Sequence, residues 1–220
     1  MTKKVAVISD ATSSGFWFPK WYEYYGRQFG ASSLYLVTYQ GQRSEFSGFD
    51  FGGIWEIPIV YDDSIRAKVI PDLVRALLNT YDIVIRCDVD EFLIADPRQF
   101  RNLSEYLQFV SSPYVTAFGV DIFENSNDRD LDMSLSIICN QRYHAIENSS
   151  LHKTSITSIP LDWGAGFHSA NVMPFFNDLY LFHMKFANIE NRIAWFDHMK
   201  SSVSVGSAEH SYFSFTAEQT

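Results

Sequence analysis

Short apolar runs alternate with amphipathic segments along the first half of the chain. Residues 5–8 form a β-like run, and an aromatic-rich amphipathic stretch follows at residues 18–29. Two further β-like runs cover residues 34–39 and 54–60. Because strands and helices differ in the spacing of their apolar positions, this order predicts a β-α-β-β start to the fold.

A helix is predicted over residues 64–81. Asp63 and Ser64 are suitable N-cap residues, and Pro71 inside the segment implies either a kink or a late start. The apolar positions that recur at helical spacing are Ile65, Val69, Leu73 and Leu77.

The apolar run at residues 83–85 consists of β-branched side chains only, which is typical of a central strand buried on both faces. A further strand is predicted at residues 114–122. Strands that alternate with helices favour a layered α/β fold with a mostly parallel sheet, in which ligands bind at the carboxyl ends of the strands.

Composition narrows the class of protein. The chain has 220 residues, of which 46% are hydrophobic and 20% charged, so it folds into a globular core. Neither repeats nor linkers divide it, so we predict a single catalytic domain at residues 1–200 and a C-terminal extension at residues 201–220.

Charge and leader signals bear on partners and location. The formal net charge is −9 and no basic patch is visible, which argues against nucleic acid as a partner. The N-terminal apolar stretch is too short for a signal peptide, and no apolar run approaches the roughly 20 residues of a membrane span. The two cysteines suit a reducing compartment. We predict a cytoplasmic protein, with peripheral attachment to the inner face of the membrane as an alternative.

An acidic motif follows the buried strand. The spacing Asp-x-Asp is weak evidence alone, since two more copies overlap in a polar stretch, at residues 128–130 and 130–132. Its position gives the first copy meaning, because Asp88 and Asp90 end a predicted central strand. In an extended chain residues i and i+2 point the same way, so both carboxylates can face one cation. Hard oxygen ligands select Mg²⁺ or Mn²⁺. The alternative is an acidic strand end that caps a helix or faces water.

Three stretches then occur in order: Trp-Tyr-Glu-Tyr-Tyr at residues 21–25, Phe-Gly-Ala at residues 29–31, and the run at residues 81–93 that contains Asp-Val-Asp-Glu-Phe. This chain resembles the family-2-like glycosyltransferases of the GT-A fold over most of residues 4–187. The resemblance implies a Rossmann-like α/β three-layer sandwich with a mostly parallel central sheet. It also implies a nucleotide-sugar donor, with a UDP-sugar favoured, bound through Mn²⁺ or Mg²⁺.

Two downstream segments add candidate site residues. The loop at residues 162–169 combines glycines with an indole, an imidazole and a carboxylate, and glycine lets a backbone approach a ligand closely. In the strand predicted at residues 179–186, His183 and Lys185 share one face. The resemblance implies that His183 is a metal ligand and that Lys185 contacts the diphosphate; a core histidine and an outward lysine are the alternative. The sugar and acceptor contacts are predicted at Glu91, Trp163, Gly166 and His168.

The remaining assignments concern the donor and the catalytic base. Donor contacts are predicted at Asp10, Ala11, Arg66 and Val89, whereas Lys153 and His152 either reach the site or form a solvated pair. An inverting transfer needs a carboxylate to deprotonate the acceptor hydroxyl. Asp162 is the first candidate, with Asp121 and Glu124 as alternatives. The chain lacks the Glu-Asp pair that many enzymes of this family carry at the base position, which leaves the base open.

These observations predict a metal-dependent glycosyltransferase that transfers a sugar to a glycan or lipid-linked acceptor in polysaccharide biosynthesis. Two alternatives stay open. A nucleotidyltransferase also uses Asp-x-Asp and Mg²⁺, although the expected glycine-rich loop after the first strand is a poor match at residues 10–15. A carbohydrate-binding or Ca²⁺-binding module could use the same carboxylates without turnover.

Overall fold

The computed structural model describes residues 2–136 and 140–202, and one nine-stranded sheet runs through them. In chain order the strands are β1 Val5–Asp10, β2 Leu34–Tyr39, β3 Gly53–Ile57, β4 Ile83–Arg86, β5 Glu91–Ala95, β6 Tyr114–Phe123, β7 His144–Glu147, β8 Thr154–Thr157 and β9 Phe176–Phe186. The spatial order of the strands is β3-β2-β1-β4-β8-β6-β9-β5, and β7 pairs with β6 outside this path. The main helices are α1 Phe18–Phe29, α2 Asp63–Leu77, α3 Leu103–Phe109 and α4 Ile189–Ser202.

Most strands of the sheet point in one direction. Strands β1 to β4 pair in parallel, and β9 pairs in parallel with β6. Strand β8 runs antiparallel to both of its neighbours, β4 and β6, so that β6 and β9 point the same way as β4. Strands β5 and β7 run in the opposite direction at the far side.

Helices cover both faces of the parallel half. Val5 and Val7 of β1 pack in the cluster that contains buried residues of α1 and α3, whereas Ala6 and Ile8 pack in the cluster that contains α2. Since both faces are apolar, the strand reads as a continuous apolar run in the sequence. The predicted α/β class, with its three layers and mostly parallel sheet, is therefore confirmed.

The early elements form close to where the sequence places them, with small shifts at the ends. Helix α2 is capped by Asp62, whose carboxylate accepts hydrogen bonds from the backbone N–H groups of Ser64 (3.0 Å) and Ile65 (3.2 Å). The cap thus lies just before the predicted Asp63-Ser64, and the helix continues through Pro71 rather than starting after it.

No helix within residues 2–136 and 140–202 is both long and apolar enough to cross a membrane. The predicted C-terminal extension lies outside the described residues except for 201 and 202, which end α4. The single-domain boundary at residue 200 stays a prediction.

Gly119 of β6 gives a test of the packing between the sheet and the short 3-10 helix at Ser149–Leu151. A Cβ atom at Gly119 would lie 2.3 Å from the backbone oxygen of Leu151, which is too close. We expect Gly119→Ala to lower the free energy of unfolding by about 1 to 3 kcal/mol, because the backbone must shift. Gly48→Ala is the matched control, since nothing lies within 4 Å of its added Cβ. Urea unfolding of both variants measures the difference, and equal stabilities would contradict the packing.

Candidate functional site

The candidate site lies at the carboxyl ends of β1 and β4. From β1 the chain goes first to β2 and β3 on one side and then to β4 on the other, so this is the point where the strand order reverses. Open α/β sheets bind ligands at such a point. A cavity of about 330 Å³ lies here, and ten of the thirteen predicted site residues line it: Asp10, Ala11, Arg66, Asp88, Val89, Asp90, Gly166, His168, His183 and Lys185.

Asp88 is held by three cations. Its Oδ1 accepts hydrogen bonds from Arg66 Nη2 and Arg86 Nη2, both at 2.6 Å, and its Oδ2 accepts from Lys153 Nζ at 3.0 Å. Burial by itself raises the pKa of Asp88, but these charges outweigh it and hold the pKa well below its usual value. Asp88 is therefore an ionised carboxylate with both oxygens occupied by protein donors.

Lys153 connects Asp88 with Glu91. The Lys153 ammonium donates to Glu91 Oε1 at 2.6 Å, while Glu91 Oε2 accepts from the backbone N–H of Asp88 at 2.9 Å. Burial lowers the pKa of Lys153, and the two carboxylates raise it above its usual value. Glu91 is fully buried beneath the motif rather than exposed to the cavity, so the structure gives it a supporting position instead of the predicted sugar contact.

Asp90 faces a different set of partners. Its Oδ2 lies 3.4 Å from His183 Nε2, and His183 Nδ1 lies 2.6 Å from Asp121 Oδ1. Asn148 Nδ2 donates to the second oxygen of Asp121 at 2.8 Å. Burial lowers the pKa of His183, whereas the carboxylates of Asp90 and Asp121 raise it to about 9. An ionised carboxylate only accepts, so Nδ1 carries a proton toward Asp121 and Nε2 is the ring atom that faces Asp90.

The two motif carboxylates point to different partners because the chain turns between them. Strand β4 ends at Arg86, residues 89 and 90 form a turn, and the backbone N–H of Glu91 donates to the carbonyl of Asp88 at 3.1 Å. The period of two that would align the carboxylates applies only to an extended chain. The turn therefore removes the geometric reason for expecting both carboxylates to face one cation, although Asp88 and Asp90 both line the cavity.

These contacts decide how well the site suits a divalent cation. Within residues 2–136 and 140–202 no group of three or more His, Cys, Asp or Glu side chains could hold a metal ion. Asp90 and His183 do converge, and the pair His183–Asp121 has the carboxylate-to-histidine contact that orients metal-binding imidazoles. The donor set thus fits a cation with two protein ligands, the other positions going to a ligand's oxygens or to water.

Asp88 and its three cations form an ion cluster, which also contacts the end of β1 and the loop between β8 and β9. Asp10 Oδ2 accepts from Tyr39 Oη at 2.8 Å, and its Oδ1 lies 3.5 Å from a nitrogen of both Arg66 and Arg86. The guanidinium carbon of Arg86 lies 3.2 Å from the ring centroid of Phe167. Asp10 is buried at the base of the cavity, where it balances the arginine charges.

The loop between β8 and β9 carries the other predicted contacts in three different environments. Trp163 is buried and donates from its indole N–H to the carbonyl of Thr154 at 2.9 Å, so it packs rather than lines the cavity. Gly166 and His168 do line the cavity. The carboxylate of Asp162 pairs with Arg75 on the surface, its side chain is 61% exposed, and it does not line the cavity, which gives the predicted base no support.

Helix α4 closes one side of the cavity and was not predicted. Its residues Asn191, Arg192, Trp195 and Met199 line the cavity, and Lys185 Nζ of β9 lies 4.8 Å from the ring centroid of Trp195. A start signal exists in the sequence, because Asn188 Oδ1 accepts from the backbone N–H of Asn191 at 2.6 Å.

No role is predicted for Arg86 from the sequence, and two alternatives are left for Lys153, yet both residues belong to the site. The period of two in β4 puts Arg86 on the same side as Asp88, so a charged residue in an apolar strand was a usable signal for an ion pair. Lys153 lines the cavity, which agrees with the first of its two alternatives, that it reaches the site. His152 does not line the cavity, and its Nδ1 accepts from the backbone N–H of Gly119 at 3.2 Å.

Comparisons with known proteins add the following. No model of a protein family matches the sequence, and no curated protein matches it. Among solved structures, the chain is similar to the mannose-1-phosphate geranyltransferase from Thermus thermophilus, with 8% sequence identity and a TM-score of 0.37. The match covers 96% of this chain and 67% of that one. A likeness at this level gives no basis for an argument about activity.

Removing Lys153 tests the buried ion cluster. Lys153→Met leaves the carboxylates of Asp88 and Glu91 without a shared cation, so we expect the free energy of unfolding to fall by about 3 to 5 kcal/mol. Lys68→Met, at an exposed position of α2, is the control and should stay within about 0.5 kcal/mol of the unmodified protein. Chemical denaturation measures both. A Lys153 variant as stable as the control would show that the cluster does not contribute to folding.

Proposed function

We propose that this protein is a metal-dependent glycosyltransferase that uses a nucleoside diphosphate sugar as donor. The observation that carries this proposal is the cavity at the strand-order reversal, where Asp90 and His183 converge beside several cationic side chains. The α/β fold with its mostly parallel sheet is the fold class that the sequence resemblance implies. The name of the donor base, with uridine favoured, rests on that resemblance alone.

Asp90 and His183 are the residues that would hold the metal. Imidazole nitrogen is a better ligand for Mn²⁺ than for Mg²⁺, which prefers oxygen, so this pair favours Mn²⁺. When bound, the ion would neutralise negative charge on the donor diphosphate. Asp121 would keep the His183 ring in place through Nδ1.

Asp88 has a different role in this proposal from that of Asp90. Both of its oxygens already accept hydrogen bonds from Arg66, Arg86 and Lys153, so we assign it to positioning these cations and leave the metal to Asp90 and His183. Arg66 and Lys153 both line the cavity, and their charge faces the space that a diphosphate would fill. A negatively charged protein can then still hold a doubly phosphorylated ligand at this place.

Lys185 and Arg192 line the cavity from β9 and α4. As the bond between the sugar and the β-phosphate breaks, negative charge grows on the leaving diphosphate. Cations already fixed in position stabilise that charge without reorganising. We assign Lys185, and with it Arg192, to binding the diphosphate and stabilising its departure.

The acceptor and the cellular setting are proposed from the resemblance. A glycan or lipid-linked hydroxyl would accept the sugar, in polysaccharide synthesis at the cytoplasmic face of the membrane. Trp163 and Glu91 are buried and support the site without lining the cavity. Gly166 and His168 line the cavity, where the acceptor would bind.

Thermal unfolding with nucleotides tests the donor site. We expect UDP with Mn²⁺ to stabilise the protein by roughly 2.7 kcal/mol at about 100 times its dissociation constant. For a chain of this length this corresponds to a rise in Tm of roughly 5 to 10 °C. EDTA, Asp90→Asn and His183→Gln should each abolish the rise. GDP, CDP and ADP are run in parallel to identify the base.

Asp130→Asn is the matched control, because it removes the exposed aspartate that the two overlapping Asp-x-Asp copies at residues 128–132 share. It should leave the response to UDP and Mn²⁺ unchanged. A protein that responds to no nucleotide, or that responds equally in EDTA, would contradict the proposal. Release of pyrophosphate from UTP and a sugar 1-phosphate, without transfer from UDP-sugars, would establish a nucleotidyltransferase instead. Affinity for sugars or Ca²⁺ alone would indicate a binding module.

A further inference from the structure

The short loop that precedes β9 has a strained backbone at the edge of the cavity. Gly166 and Phe167 are consecutive residues with positive φ, at 63° and 58°. A bulky non-glycine residue rarely adopts this conformation, which costs of order 1 to 3 kcal/mol and persists only where surrounding contacts impose it. Such strain clusters at functional sites, so the residue that it places is of interest.

Three contacts impose this conformation. The backbone N–H of Gly166 donates to Asp63 Oδ2 in the first turn of α2 at 2.6 Å. The Phe167 ring is buried against the guanidinium of Arg86, with a centroid distance of 3.2 Å, and lies 4.7 Å from that of Arg66. The loop is therefore attached to the same cations that hold Asp88. The next residue, His168, is presented to the cavity.

The orientation of the His168 ring is determined by a hydrogen bond at Nδ1. Its Nδ1 lies 2.6 Å from the backbone carbonyl oxygen of Ser150. A carbonyl oxygen only accepts, so Nδ1 carries the proton, and in the neutral ring Nε2 holds an available lone pair. Within the described part of the chain no residue hydrogen-bonds Nε2. A Cβ at position 166 would lie 2.5 Å from Nε2, so the absence of a side chain at Gly166 leaves room for the ring in this position.

The carboxylates of the cavity are occupied by other contacts. Asp88 binds three cations, Asp90 faces His183, and Asp10 lies between Tyr39 and the arginines. Asp63 accepts the N–H of Gly166. Asp121, one of the candidate bases from the sequence, is engaged by His183 and Asn148.

We propose that His168 is the general base of the transfer reaction, an assignment that rests on the proposed function. Nε2 of His168 takes the proton of the acceptor hydroxyl while the hydroxyl oxygen forms a bond to the anomeric carbon of the sugar. The bond from that carbon to the β-phosphate oxygen breaks, and its electron pair stays on the leaving nucleoside diphosphate. The proton on the imidazolium then passes to solvent.

Turnover and donor binding are measured separately, because loss of a general base lowers turnover and leaves the affinity for the donor nucleotide unchanged. The variants are His168→Ala and His168→Gln, and the assay is UDP release from a panel of UDP-sugars with Mn²⁺ and water as acceptor. We expect turnover to fall by about 10² to 10⁴-fold in both variants, while calorimetric affinity for UDP with Mn²⁺ changes less than about twofold. Added imidazole should restore part of the turnover in His168→Ala.

His144→Gln is the matched control, since it replaces an exposed histidine of β7 that does not line the cavity, and it should keep full turnover. Variants of His168 that keep turnover would overturn the assignment, and a loss in Asp162→Asn with retention in His168→Ala would return the role to Asp162. A fall in UDP affinity without rescue by imidazole would also overturn it. If the unmodified protein binds UDP but hydrolyses no UDP-sugar of the panel, the base assignment alone fails. If it binds no nucleotide, the proposed function fails with it.

Discussion

The structure of the site depends on one half-buried ionised carboxylate, that of Asp88. Taking a carboxylate out of water is costly unless charges and hydrogen bonds compensate, and here Arg66, Arg86 and Lys153 do so at 2.6 to 3.0 Å. The three cations come from α2, from β4 and from the residue before β8. They would repel each other without the acid between them, so Asp88 joins elements that are distant in the sequence.

The ion cluster around Asp88 explains why the two aspartates of the Asp-x-Asp motif have different roles. Asp88 accepts hydrogen bonds from three protein cations, whereas Asp90, on the other side of the turn, faces an imidazole and the cavity. Glu91 supports this division from below, since it fixes both the backbone of Asp88 and the ammonium of Lys153. A single acidic motif can thus anchor a fold and offer a ligand group, because a turn separates the directions of its carboxylates.

The same cations reach the opposite wall of the cavity through Phe167. Arg86 and Arg66 contact its ring, and Gly166 is bound to the start of α2, so that the loop and the acidic motif are parts of one packed unit. The balance of charge in the cavity therefore differs from that of the whole chain. Although the formal net charge of the chain is −9, the cavity lining balances four carboxylates, Asp10, Asp63, Asp88 and Asp90, with four cations, Arg66, Lys153, Lys185 and Arg192.

The sequence by itself determined the local elements and indicated where the candidate site lies. Continuous apolar runs predict buried strands, helical spacing predicts α1 and α2, and an acidic motif after a central strand marks the ligand-binding edge, since these signals act between near neighbours in the chain. Tertiary structure decided which groups meet there. Lys153 is 65 residues from Asp88, and no local period reports that distance. The turn that separates Asp88 from Asp90 and the surface ion pair of Asp162 depend equally on packing between distant segments. Helix α4 likewise lines the cavity because it packs against β9, which its own sequence does not indicate.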